Sequence, residues 1–167
     1  KNKKNTMKYL SLVALSLFIM SCGNAQKKDT AKTENTYEVS KTNAEWKEVL
    51  SSEEYHILRE AGTERPFSSE LLDIKEEGTY VCAACKTPVF KSEHKFDSGT
   101  GWPSFDREID GNVAFSTDNK IGYTRVEEHC AVCGGHLGHV FNDGPKNTTG
   151  KRHCINGDAL DFIPSTK

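Results

Sequence analysis

A chain of 167 residues, 35% hydrophobic and 28% charged, has material for one modest domain with appendages. Its formal net charge of -2 leaves no basic excess to neutralise phosphates, which argues against a nucleic-acid partner. Thirteen glycines, with short runs of Val, Ile, Phe and Tyr, lean toward a turn-rich β fold.

The first segment reads as a targeting signal and is set aside from the fold. Lys1, Lys3, Lys4 and Lys8 flank an uncharged apolar run from Tyr9 to Met20. At roughly 12 residues the run is too short for a membrane-spanning helix, which needs about 20. It closes on Ile19-Met20-Ser21-Cys22, which resembles a bacterial lipobox. The expectation is a signal peptide over 1–21, with Cys22 lipidated as the first residue of the mature chain. The protein would then be exported and held in the bacterial cell envelope by a lipid anchor, facing the extracytoplasmic side. A plain secretory signal cut nearby is the alternative. Residues 22–42 are rich in Lys, Thr, Asn, Gln and Glu and have little to bury, so they are expected to form a flexible tether.

The domain is expected over 43–167. Asn43 reads as the cap of a short helix carrying Trp46, Val49 and Leu50. Ser51 and Glu54 form a capping-box pattern for a second helix bearing Tyr55, Leu58 and Ala61, stopped by Gly62. Strand-like runs follow: Tyr80 to Cys82, Pro88 to Phe90, Val113 to Phe115, Ile121 to Val126, His139 to Phe141, and Arg152 to Ile155. Asp118-Asn119 suits a hairpin turn between two of them. The pattern is mainly β and antiparallel, preceded by two short helices.

Six cysteines are present. Cys82-x-x-Cys85 and Cys130-x-x-Cys133 form two knuckle-like pairs with 44 residues between them. Four thiolates so arranged can close a tetrahedral zinc site, one Zn2+ with a structural role because no coordination position stays open. Two disulfides between the pairs, or one redox-active CxxC, are the other readings. Neither pair is followed by the helical pattern that a thioredoxin-like CxxC requires. With Cys22 assigned to the lipobox, Cys154 is left alone, as either an inert buried residue or a reactive thiol. Arg152 and His153 precede it, and positive charge favours the nucleophilic thiolate.

Three further segments complete a resemblance: Ser98-Gly99-Thr100-Gly101-Trp102-Pro103-Ser104-Phe105, Gly135-His136-Leu137-Gly138-His139-Val140-Phe141, and Arg152-His153-Cys154-Ile155-Asn156. Together with the paired knuckles, they resemble the methionine sulfoxide reductase B family over about 43–164. The resemblance implies two antiparallel sheets, with the zinc away from the active site. It implies reduction of methionine-R-sulfoxide, protein-bound or free, by attack of Cys154 on the sulfoxide sulfur. Cys154 would pass through a sulfenic acid while an acid protonates the departing oxygen. His139, with His136 as its partner, matches the family's active-site histidines, and Asn156 a position supporting the site's hydrogen bonds. Trp102 matches the wall that packs on the substrate S-methyl group. Phe141, Asp143 and Arg152 are expected to line or support the pocket.

One departure bears on turnover. Many family members carry a resolving Cys in the glycine-rich segment, and here that position is Thr100. Cys154 is therefore expected to be regenerated by an external reductant, a thioredoxin-like domain or a small thiol. The chain is expected to act as a monomer. Two other classes stay in view: a zinc-ribbon-like binding module without catalysis, and a disulfide oxidoreductase working through a CxxC.

Overall fold

The computed structural model describes residues 37–166. The expected signal peptide, Cys22 and the tether as far as residue 36 lie outside the described residues. The last residues of the expected tether are docked. Val39 N–H donates to the Val132 carbonyl at 3.0 Å, and the Tyr37 ring meets His129 edge-on.

Helix α1 (Asn43–Val49) starts one residue earlier than expected, with Asn43 as its first helical residue. Thr42, not Asn43, is the N-cap. Its hydroxyl accepts from Glu45 N–H at 3.3 Å, while the Glu45 carboxylate accepts from Thr42 N–H at 2.7 Å. Helix α2 (Ser52–Glu60) has the Ser51–Glu54 capping box anticipated from sequence. Its stop differs: Ala61 takes the left-handed conformation at φ 54, and Gly62 N–H then closes on the His56 carbonyl. A Cβ at Gly62 would meet the exposed His56 ring at 2.4 Å, so that ring would have to swing aside.

Nine strands follow: β1 (Gly78–Cys82), β2 (Pro88–Lys91), β3 (Lys95–Phe96), β4 (Ser104–Phe105), β5 (Val113–Asp118), β6 (Arg125–Cys130), β7 (His136–Phe141), β8 (Arg152–Ile155) and β9 (Leu160–Pro164). They form two antiparallel sheets, a three-stranded one ordered β2-β1-β9 and a six-stranded one ordered β3-β4-β8-β7-β6-β5. The strand expected over Ile121 to Val126 is displaced. Residues 119–124 form the connection and β6 begins at Arg125. Its polar sequence, Arg-Val-Glu-Glu-His-Cys, hid a strand whose Glu128 is buried.

The sheets meet through aromatic side chains. Phe90 of β2 stacks on Phe105 of β4 at 4.4 Å between ring centroids, and Tyr80 of β1 meets Phe105 edge-on at 4.9 Å. Leu137, Ile155 and the helix residues Trp46, Ile57 and Leu58 complete this fully buried layer. Alternation along a strand sends neighbours to opposite faces. With Phe105 and Ile155 committed to the core, Ser104 and Cys154 are carried on the other face of the large sheet.

Strands β7 and β8 approach closely at Gly138. A Cβ there would lie 2.1 Å from the Cys154 carbonyl oxygen, a backbone atom that cannot swing aside. Gly138→Ala is expected to destabilise the domain by about 2–3 kcal/mol, an overpacking cost, measured as a lower midpoint in urea unfolding with an unchanged slope.

Candidate active site and metal-binding cluster

Cys154 faces His139 directly across the β7–β8 ladder and Ser104 across β4–β8, and directly opposed residues project to the same side. His136 lies three residues before His139, a spacing that regular pleating would send to the opposite face. The β6–β7 register supplies the correction. Glu128 pairs with Gly138 and His129 with His136, so β7 holds one extra residue, Leu137. This bulge inverts the alternation and returns both histidines to one side, with ring centroids 5.4 Å apart.

Asn156 pins the bulge. Its backbone N–H and its Nδ2 both donate to the Leu137 carbonyl, at 2.9 and 3.0 Å, while its Oδ1 accepts from Glu64 N–H at 3.1 Å. It lies just past the end of β8. Its amide is thus occupied with backbone groups, and it acts on the site through the bulge. Glu64 is a second stitch that the sequence reading passed over. Its carboxylate accepts from the N–H groups of Gly157 and Asp158, and its carbonyl accepts the Trp102 indole N–H at 3.3 Å.

Each histidine is oriented by a carboxylate. His136 Nδ1–H donates to Glu127 at 2.7 Å, and His139 Nε2–H donates to Asp118 at 2.8 Å. This leaves His136 Nε2 and His139 Nδ1 for other partners. Burial lowers the pKa of both rings, with the paired carboxylates acting in opposition. Asp118 is held well below the usual carboxylate range by the Lys120 backbone N–H, by His139 and by Arg125. Burial works to raise Glu127, but His136 and its other partners bring it net below its ordinary value. Glu127 and Asp118 carried no motif of their own. Asp118 was legible only as a turn residue, and the loop over 119–124 lets it both end β5 and reach His139.

Burial raises the Cys154 thiol, with the Arg152 charge and hydrogen bonds from Thr100 and Arg152 working the other way. Arg152 is itself fixed by Asp143, to which its Nε and Nη2 donate at 2.9 Å each, and its guanidinium covers the Phe141 ring at 4.5 Å. His153, although next to Cys154 in sequence, is turned away from it and buried. It points to the core side, between Glu128 at 2.6 Å and Glu108 at 3.3 Å. Thr100, at the position where the resemblance implies a resolving thiol, bonds Ser98 at 2.8 Å and acts on Cys154 in the sense that favours its thiolate.

The four remaining described cysteines form one cluster. The sulfurs of Cys82, Cys85, Cys130 and Cys133 all lie within 4.8 Å of one another, and all four are free thiols. The shortest approaches run between the two knuckles, Cys82 to Cys133 at 3.7 Å and Cys85 to Cys130 at 3.5 Å. Bonds of about 2.3 Å to one tetrahedral ion would space the sulfurs by about 3.8 Å, so the donor set fits a metal ion with little movement. Both knuckles turn alike. Lys86 and Gly134 follow the second Cys of each pair with φ of 63 and 70, and their N–H groups close on the Cys82 and Cys130 carbonyls.

The chain matches the SelR domain model over residues 50–164. It is 49% identical over 127 residues to the peptide methionine sulfoxide reductase MsrB of Chromohalobacter salexigens, covering 75% of this chain and 96% of the relative. Against the protein of that name from Agrobacterium fabrum it is 52% identical, covering 75% and 93%. The Methanosarcina barkeri relative, with the same name, is 53% identical, covering 74% and 87%. Among solved structures, the crystal structure of the Mis18 "Yippee-like" domain has a TM-score of 0.42 at 16% identity, covering 55% of this chain and 100% of that one.

A thiol raised above its ordinary value is mostly protonated at neutral pH. Alkylation of Cys154 by iodoacetamide is therefore expected to keep rising with pH from 6 to 9 without a plateau. At fixed pH, Arg152→Met should slow it by removing the charge that favours the thiolate; the check is mass spectrometry of the Cys154 peptide.

Proposed function

We propose, from a chain that belongs to the SelR domain family of MsrB proteins, that it reduces peptide methionine-R-sulfoxide to methionine with Cys154 as nucleophile. The observation that carries this reading is the direct pairing of Cys154 with His139 on the sheet face that also holds His136.

The chemistry balances on these residues. Cys154 sulfur attacks the sulfoxide sulfur, and the thiol proton passes through the histidine pair to the sulfoxide oxygen. The S–S bond so formed and the S–O bond to the substrate sulfur then break as the hydroxyl passes to the Cys154 sulfur. Methionine thus leaves as a thioether, and Cys154 holds the oxygen as a sulfenic acid. Protonation is needed because a bare oxide is a poor leaving group. His139 is the leading donor because it is paired with Cys154, and His136 completes the pair. Arg152, braced by Asp143 over Phe141, favours the thiolate against the cost of burial. Trp102, anchored by Glu64, is the wall for the S-methyl group. Asn156 acts by holding the bulge that aligns the two histidines.

Recycling takes two equivalents of an external thiol. The first forms a mixed disulfide with Cys154 and releases water; the second releases the thiol form of Cys154 and an oxidised reductant. Thr100 cannot take the first of these roles. The reductant is a thioredoxin-like domain or a small thiol. The four-cysteine cluster holds one Zn2+, whose role is structural because all four positions are filled by protein. The basic and apolar N-terminal run ending at Cys22 supports an exported lipoprotein, anchored in the bacterial envelope and acting as a monomer.

An epimer-resolved assay tests the reading. R-sulfoxide turnover with dithiothreitol should fall roughly a thousandfold or more in Cys154→Ser, and the S epimer should not be reduced by either protein. Turnover that survives Cys154→Ser would sink the proposal, and absent turnover in the wild type would favour a binding module. One equivalent of sulfoxide without reductant should leave a sulfenic acid on Cys154, trapped by a 1,3-diketone, with no disulfide to another cysteine.

Metal analysis of the purified protein should give about one zinc per chain. Its removal by a strong chelator should abolish the folded near-ultraviolet signal, since metal binding and folding are linked. A folded, metal-free protein of unchanged stability would overturn this assignment.

A further inference from the structure

Beside the site lies a cavity of about 470 Å³. Its wall includes Phe67, Leu72, Ile74, Phe96, Trp102 and Ser104, but Cys154, His136 and His139 do not line it. It nevertheless adjoins the site, because its wall shares Trp102 and the strand residue Ser104 that pairs with Cys154.

Three features show a preformed surface. Leu72, Ile74 and Phe96 are half-buried yet stand outside the cluster of side chains packed on the core, so their apolar area faces the cavity. The Lys95 ammonium donates to the carbonyls of Leu72 and Ile74, at 2.9 and 3.0 Å, and so holds the far wall. Phe67 is 70% exposed and sits at φ 63, a left-handed conformation that is unfavourable for a bulky residue. Its N–H donates to the Gly101 carbonyl at 2.7 Å. Backbone strain is thus retained to present an aromatic ring at the mouth, next to the loop that carries Trp102.

The rim mixes Asp73, Glu76 and Asp97 with Lys75 and Lys95, which gives no strong field for a charged ligand. Phe67, Leu72, Ile74 and Phe96, by contrast, form an apolar patch within an otherwise polar lining, a place for a hydrocarbon side chain. A polypeptide with its sulfoxide against Trp102 advances about 3.3 Å per residue, so its next residues pass over this opening. We propose that the cavity is the subsite for the substrate polypeptide beside the sulfoxide, taking a bulky apolar side chain within about two residues of the oxidised methionine. This rests on the reductase reading above and adds to it a preference for sequence.

The test compares three substrates on the zinc-loaded protein with dithiothreitol as reductant. They are free methionine-R-sulfoxide and two capped pentapeptides with the R-sulfoxide at the centre, flanked on both sides by Phe in one and by Ser in the other. In the wild type, kcat/KM for the Phe-flanked peptide should exceed that for the Ser-flanked one by about tenfold, the gain from burying one large apolar side chain. Phe67→Ala and Ile74→Ser should each bring that ratio close to one through KM, while turnover of free sulfoxide stays within about twofold of wild type. Equal wild-type rates on the two peptides, or a variant loss that is the same for free and peptide substrates, would overturn the subsite and leave the reductase reading intact. No turnover of any of the three substrates by the wild type would remove both.

Discussion

The four-sulfur cluster is the constraint on which the rest of the domain depends. Cys82 ends β1 in the small sheet and Cys130 ends β6 in the large one, so an ion held there would join the two sheets at their strand ends. Between the two knuckles, the chain supplies β2 to β5, the glycine-rich loop with Trp102, and the hairpin with Asp118. Four thiols at 3.5–3.7 Å contacts gain little from one another without a cation, because neighbouring thiolates repel. With a cation, they close a long loop whose ends would otherwise cost chain entropy to bring together. Docking of residues 37–39 on the second knuckle, through Val39 to Val132, extends this join to the N-terminal side of the domain.

At the candidate site, burial and charge act against each other at every titratable group. Cys154 is raised by burial and opposed by Arg152; His136 and His139 are lowered by burial and opposed by Glu127 and Asp118. Burial acts on the thiol and on the two imidazoles in opposite directions, each toward its neutral form, which suits an internal proton transfer. The same groups can pass one proton to a sulfoxide oxygen without drawing on solvent. The carboxylates also fix which ring nitrogens remain free, which matters more to such a transfer than the net charge of the pocket.

Much of this was readable along the chain. The antiparallel β character, the Ser51–Glu54 box and the two knuckles followed from local patterns, since capping and CxxC turns are decided over a few residues. Boundaries governed by alternation were weaker. β6 is mostly polar because both its faces meet charged partners, Glu127 with His136 and Glu128 with His153, so the hydrophobic period that marks a strand is missing. β3, β4 and β9 are short or irregular in pattern and were passed over. Asn43 lost its capping role to Thr42, because the cap falls to whichever hydroxyl meets the N3 Glu.

The amino-acid sequence by itself determined the chemistry available: one unpaired thiol among the described residues, two histidines, a tryptophan in a glycine-rich loop, four clustered thiol ligands and a threonine where a second redox thiol would stand. Only the tertiary structure decided which of them meet. A one-residue bulge at Leu137, held by Asn156, places His136 and His139 on one face. The strand alternation sends His153 away from the thiol and Arg152 toward it. Those outcomes depend on register between strands distant in sequence, and a single extra residue inverts every side chain beyond it.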